Sequence, residues 1–238
     1  MKLDGKVVVI TGASTGIGRG IANAFAKEGA KTVLAARNEQ RLKTVANELQ
    51  SQGAKVLAVQ TDVSRESDVI ALFEKTISEF GRVDILINNA GIFRAAPLDE
   101  TSLEIWQRTI DVNLTGPFLC TREAMKIMKS QGGGRIINVG SISAQMPRPN
   151  AVAYSCSKAG LVSLTKTTAL VGRNYGIVAG CIHPGNTNTE QMAETPNEPM
   201  MEVDDLVKAV LAMATLPPHV NMLEAIVLPA TQLYLGRG

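Results

Sequence analysis

Seven short aliphatic runs recur along the chain, "KVVVIT", "KTVLAA", "KVLAVQ", "VDILIN", "RIINVG", "IVAGCIH" and "LEAIVL", with longer stretches of helical spacing between them. Apolar side chains within each run are nearly continuous instead of alternating, which is the pattern of strands covered on both faces in a parallel sheet. Strand, helix, strand repeated from end to end needs right-handed crossovers. The expected fold is therefore α/β: a doubly wound parallel sheet of seven strands with helices on both faces. Hydrophobic residues make up 45% of the chain, enough to fill such a core. No compositional break, linker or repeat divides the sequence, so residues 1–238 are expected to form one domain.

The helical stretches carry their own punctuation. In "NEQRLKTVANELQSQG" Leu42, Val45 and Leu49 fall on one face and Gly53 offers a stop. Ser64 is expected to cap the next helix, with Glu66 and Asp68 in its first turn, where the dipole favours acid. Its apolar stripe is Val69, Leu72, Phe73 and Ile77, ending at Gly81. The long polar, proline-bearing interruption lies at residues 186–201, "NTNTEQMAETPNEPMM". It reads as a mobile substrate loop over the strand ends, where open α/β sheets keep their ligands.

Charge excludes several function classes. Lys and Arg total 24 against 22 Asp and Glu, a net charge of +2, so there is no general drive toward nucleic acid or an acidic membrane. The N-terminal residues lack a secretory core, and no run approaches the roughly 18 apolar residues of a membrane span. The expectation is a cytoplasmic protein with a small-molecule partner. Cys120, Cys156 and Cys181 are widely spaced with no C-x-x-C, which points to buried thiols and to no metal site.

The first strand is followed by "TGASTGIG", Thr11–Gly18. Gly12 permits a tight turn, Gly16 a close approach of backbone to phosphate, and Gly18 close packing of the next helix, whose N-terminal amides attract anions. The spacing differs from G-x-G-x-x-G, so its place between first strand and first helix carries the reading. Gly12, Ser14 and Gly16 also satisfy G-x-S-x-G, the elbow of serine hydrolases, with His183 or His219 downstream as a partner. That elbow normally follows several strands and an oxyanion loop, whereas only eleven residues precede Gly12.

About twenty positions after the glycines, at the end of the second strand, a nucleotide-binding unit meets the adenosine ribose. Here Ala36 and Arg37 stand at that point. An acid would accept from a free 2'-hydroxyl; a guanidinium suits a 2'-phosphate. NADP is therefore preferred over NAD, with a merely solvated Arg37 as the plain alternative.

Within "AYSCSKAG", Tyr154 and Lys158 stand at i and i+4, on one helix face. A phenol serves as general acid or base when a neighbouring ammonium stabilises its anion. Taken with "TGASTGIG", Asp62, "NNAG" at Asn88–Gly91, "DVNLTG" with Asn113, Ser141 thirteen residues before Tyr154, and "PG" at Pro184 and Gly185, the chain resembles the short-chain dehydrogenase/reductase family over nearly its whole length. The resemblance implies a Rossmann fold and hydride transfer between a nicotinamide and a carbonyl or alcohol. It implies that Tyr154 protonates the carbonyl oxygen, Ser141 hydrogen-bonds it, Lys158 binds the nicotinamide ribose, and Asn113 supports a water chain returning the proton. It places Ser14 and Ile17 by the pyrophosphate, Asp62 and Val63 at the adenine, Asn88, Ala90 and Gly91 at the switch point, and Pro184 with Thr187 or Thr189 near the carboxamide.

Some of these residues keep a second reading. Asn88 also suits a crosslink between backbones, and "GSIS" around Ser141 suits a plain turn. Cys156, between Tyr154 and Lys158, is expected to point into packing, and His183 to satisfy local hydrogen bonds or touch substrate. Arg94 and Arg148 suit either a substrate carboxylate or solvent. Met146, Met192, Met200, Met201 and Phe93 suit either an adaptable pocket or core filling. The tail "NMLEAIVLPATQLYLGRG" resembles the branch of NADP-dependent hydroxy-acid dehydrogenases and carbonyl reductases. Helices near 102–129 and 152–172 are, by the same resemblance, intersubunit elements of a homotetramer or homodimer. The rival to an enzyme is a catalytically silent NADP-binding regulatory or interaction protein on the same fold.

Overall fold

The computed structural model describes residues 1–190 and 198–233. Strands and helices alternate: β1 (Val7–Thr11), α1 (Gly16–Lys27), β2 (Lys31–Ala36), α2 (Glu39–Ser51), β3 (Val56–Gln60), α3 (Glu66–Phe80), β4 (Ile85–Asn88), α4 (Leu103–Ile110), α5 (Gly116–Gln131), β5 (Gly134–Val139), α6 (Val152–Gly172), β6 (Ile177–Pro184), α7 (Val203–Ala214) and β7 (Glu224–Val227). All seven strands pair in parallel in the order β3-β2-β1-β4-β5-β6-β7. The order reverses between β1 and β4, opening a crevice at the strands' C-terminal ends.

Side-chain alternation on β1 divides the core. Val8 and Ile10 pack with Ile21 and Phe25 of α1, Leu42 of α2 and Leu206 of α7. Val7 and Val9 pack on the other face with Val69 and Leu72 of α3 and Leu119 and Met128 of α5. The central strands β1 and β4 are fully buried, as their unbroken apolar runs imply. The edge strand β7 is only half covered, with Ile226 at 43% exposure.

Three local expectations are corrected. Ser64 does not cap α3; Arg65 occupies that position, and the Ser64 hydroxyl donates to Asp62 Oδ1 at 2.6 Å. The inward face of α3 ends on Thr76, whose hydroxyl bonds Leu72 O at 2.7 Å, while Ile77 is 36% exposed. Cys156 faces outward and is exposed, whereas Cys120 and Cys181 are buried, where desolvation pushes their thiols up to about 12 and about 11.

The helical region 103–131 is interrupted. Residues 111–115, "DVNLT", form one π-helical turn between α4 and α5. Such a turn bulges the backbone by one residue and is favoured where a side chain must be aimed. Here it carries Asn113 inward.

Candidate functional site

The crevice at the β1/β4 switch point opens into a cavity of about 800 Å³. Its floor is the glycine turn. Gly12 and Gly16 have φ of +65° and +50°, left-handed values that favour glycine. A Cβ on Gly12 would stand 2.9 Å from Ala90 Cα, and one on Gly18 would collide with Gly12 O. Gly18 is thus a packing glycine behind the turn, while Gly12, Ser14, Gly16 and Ile17 line the cavity.

Asn89 holds this turn in place, a residue the sequence reading passed over for its neighbour. Its Nδ2 donates to Thr11 O at 3.0 Å and Gly12 O at 3.3 Å, and its backbone N–H donates to Thr11 Oγ1 at 3.0 Å. Asn88, expected by the cofactor, lies off the cavity inside the sheet. Its Nδ2 donates to Asn138 Oδ1 at 2.8 Å and Thr121 Oγ1 at 3.2 Å, so it ties β4 to β5 and α5 through side chains and not through backbone.

The end of the cavity under β2 and β3 is lined by Arg37, Asn38, Arg41, Thr61, Asp62 and Val63. Arg37 is exposed at the end of β2. Arg41, one turn into α2, was not singled out by sequence; its guanidinium is 3.9 Å from Glu190, with both side chains over 60% exposed (62% and 64%). Asp62 is held by Ser64 and by Arg108 Nη2 at 3.1 Å. Burial would raise its carboxyl, but these bonds outweigh that and hold it below the usual carboxylate range.

At the other end the polar groups are tied to backbone. Asn113 Oδ1 accepts from Ile92 N at 2.8 Å, and its Nδ2 donates to Ile92 O at 2.9 Å and Ser157 Oγ at 3.2 Å. Ser157 Oγ in turn donates to Tyr154 O at 2.6 Å. Lys158, 5% exposed, donates from Nζ to Val139 O at 2.8 Å, and Nζ stands 5.6 Å from the Tyr154 ring centre. The i, i+4 spacing on α6 therefore brings both groups to one wall. Phe93 packs edge-on against Tyr154, with ring centres 5.2 Å apart. Ser141 and Ser143 line the same end, and Ser141 Oγ accepts from Ser143 N at 3.1 Å.

Pro184, Gly185, Thr187 and Thr189 close the cavity from β6 onward, beside Ala90 and Gly91. Arg148 also lines it, and is not simply solvated: Nη2 donates to Asn186 Oδ1 at 2.7 Å and Glu198 Oε2 at 2.8 Å. Arg94 is exposed. Of the expected methionine pocket only Phe93 lines the cavity; Met201 belongs to the core, Met146 and Met200 do not reach the lining, and Met192 lies outside the described residues. The substrate loop expected at 186–201 is described only at its two ends, since residues 191–197 also lie outside.

The hydrolase constellation is not assembled. His183 is fully buried with its ring against Ser141 and Glu224, and His219 is exposed far along the chain. Neither is hydrogen-bonded to Ser14 among the described residues.

The cavity suits a dinucleotide. Helix α1 begins with no side-chain cap and no acid in its first turn, which leaves its amides free for an anion. Cations stand at one end and hydroxyls with a buried ammonium at the other.

Residues 6–199 match the family model described as short chain dehydrogenase. The chain is 38% identical over 207 residues to a 3-oxoacyl-[acyl-carrier-protein] reductase of Synechocystis, covering 87% of this chain and 84% of that one. It is 42% identical over 199 residues to 3beta-hydroxysteroid dehydrogenase 1 of Eggerthella lenta, covering 83% and 76%. Among solved structures, a 3-ketoacyl-(acyl-carrier-protein) reductase from Brucella melitensis complexed with NADH superposes with a TM-score of 0.89 at 34% identity, covering 96% and 98%.

Proposed function

Because the chain belongs to the short-chain dehydrogenase family, oxidoreductases that use a nicotinamide cofactor on small molecules, we propose that it is an NADPH-dependent reductase of a ketone or aldehyde, reversible as an alcohol dehydrogenase. The observation that carries this reading is the placing of Ser141, Tyr154 and Lys158 at one end of a cavity whose other end presents Arg37 and Arg41.

In this reading Gly12, Ser14, Gly16 and Ile17, with the amides of α1, hold the pyrophosphate, and Gly18 keeps the helix close. Asp62 and Val63 flank the adenine. Arg37 takes a 2'-phosphate, with Arg41 as a second cation; without that phosphate NAD would still fit. Ala90 and Gly91 line the cofactor's middle, and Pro184, Gly185, Thr187 and Thr189 its carboxamide end. When bound, the nicotinamide supplies or accepts the hydride.

The chain's own residues do the rest. Ser141 hydrogen-bonds the substrate oxygen and Tyr154 delivers its proton. Lys158 has three hydrogens and spends one on Val139 O, leaving two for a ribose and for the phenol's charge. Asn113 has both amide hydrogens engaged, so a proton-returning water would meet its side chain only through the remaining capacity of Oδ1. Residues 186–201 serve as the substrate loop. The reading extends to a single cytoplasmic domain, assembled as a homotetramer or homodimer, with no nucleic acid or membrane partner.

The test is loss of NADPH absorbance over a panel containing 3-oxoacyl thioesters, a 3-ketosteroid and short keto acids. At least one compound should be reduced, faster with NADPH than with NADH. Cofactor binding with no reduction across the panel would instead support the silent nucleotide-binding protein.

A further inference from the structure

His183 is fully buried, and its two ring nitrogens meet different partners. Nδ1 lies 2.9 Å from Ser141 O. That carbonyl also accepts Ala144 N at 3.0 Å, so both its bonds are received and Nδ1 carries the hydrogen. Nε2 lies 3.2 Å from Glu224 Oε1 on β7, without the alignment of a hydrogen bond to any described residue.

The neighbours fit this ring closely. A Cβ on Gly140 would stand 2.7 Å from Nδ1 and 2.8 Å from Cys181 Sγ, so only glycine lets the ring reach the next carbonyl. Glu224 grips the same loop a second time, accepting Gln145 Nε2 at 2.9 Å, and its other oxygen is 3.3 Å from Lys166 Nζ. Three consecutive residues leading into the loop are thereby fixed from three sides. Lys158 holds Val139 O, Ile182 O receives Gly140 N at 2.7 Å, and His183 holds Ser141 O.

We propose that His183, backed by Glu224, is a positioning residue that aims the Ser141 hydroxyl into the cavity, so that the edge strand β7 sets the geometry at the reaction end. The inference rests on the reductase reading for its consequence in turnover, but the tether itself can be read without turnover.

The experiment compares His183→Leu, His183→Asn and Glu224→Gln. Asn places an amide N–H where Nδ1 stood, and Leu has no donor. With a carbonyl that the wild type reduces, His183→Leu should lower kcat about 10- to 100-fold, with NADPH affinity within about twofold of wild type and a larger effect on kcat than on KM. His183→Asn should return kcat to within about fivefold of wild type, and Glu224→Gln should fall between. In parallel, amide NMR spectra should show Ser141 and Ser143 displaced in His183→Leu and restored in His183→Asn, and the wild-type imidazole should show its hydrogen on Nδ1. Unchanged kcat or unmoved Ser141 and Ser143 amides in His183→Leu, or an Nδ1 without hydrogen in the wild type, overturns the proposal. If no carbonyl is reduced by the wild type, the reductase reading fails, and the NMR arm alone decides the tether.

Discussion

At the β2 end of the cavity Arg37, Arg41 and Glu190 are exposed, with Arg41 and Glu190 loosely apposed at 3.9 Å, while Asp62 is held by Ser64 and Arg108. At the reaction end Asn113, Lys158 and His183 are buried and committed to backbone oxygens or amides at 2.8–2.9 Å. The first end can adapt to what binds and contributes charge. The second is preorganised, so its polar groups would need little reordering on binding the proposed carbonyl. On the proposed function, affinity and cofactor choice would belong to the exposed end, and rate to the buried one.

That division can be broken by mutation. The largest effect expected is Tyr154→Phe, which should lower kcat by about 10³-fold while leaving NADPH affinity unchanged; steady-state kinetics beside a fluorescence titration checks it. Next is Asn113→Ala, which orphans the Ile92 N–H and C=O. It should cost about 2–4 kcal/mol in denaturant unfolding as well as activity, and full stability in that variant would show that the buried end is less tightly built than described. Arg37→Asp should be mildest, shifting the NADPH-to-NADH preference by roughly 10- to 100-fold toward NADH with little change in kcat. A large drop in kcat there would erase the distinction between the two ends.

The two ends also differed in legibility. The fold was open to reading because continuous apolar runs and helical spacing are local signals, and they located all seven strands. The glycine turn was readable for the same reason, and Arg37 stands just past the end of β2, where the strand pattern put it. "NNAG" was not resolved between its two asparagines. Successive residues at a strand end face opposite ways, so Asn88 enters the sheet and Asn89 the turn, and the sequence does not say which. Arg41 was passed over because it is one ordinary arginine on an exposed helix. Ser64 looked like a cap, but its hydroxyl donates to Asp62 two residues back and accepts from Arg108 Nη1 at 2.9 Å, so a local turn and a long-range partner compete with the cap. At the reaction end Ser141, Tyr154 and Lys158 were placed by family resemblance. The His183–Glu224 contact joins β6 to β7 across 41 positions of sequence, and no local pattern announces it.

The most direct measurement of the central claim is isotopic. NADPH carrying deuterium at both positions of nicotinamide C4 is incubated with a carbonyl substrate from the panel, and the product alcohol is analysed by mass spectrometry. The account predicts one deuterium on the carbinol carbon with the wild type and only background label with Tyr154→Phe, although that variant still binds NADPH. Label transferred by Tyr154→Phe at the wild-type rate, or never transferred by the wild type to any carbonyl, would contradict it.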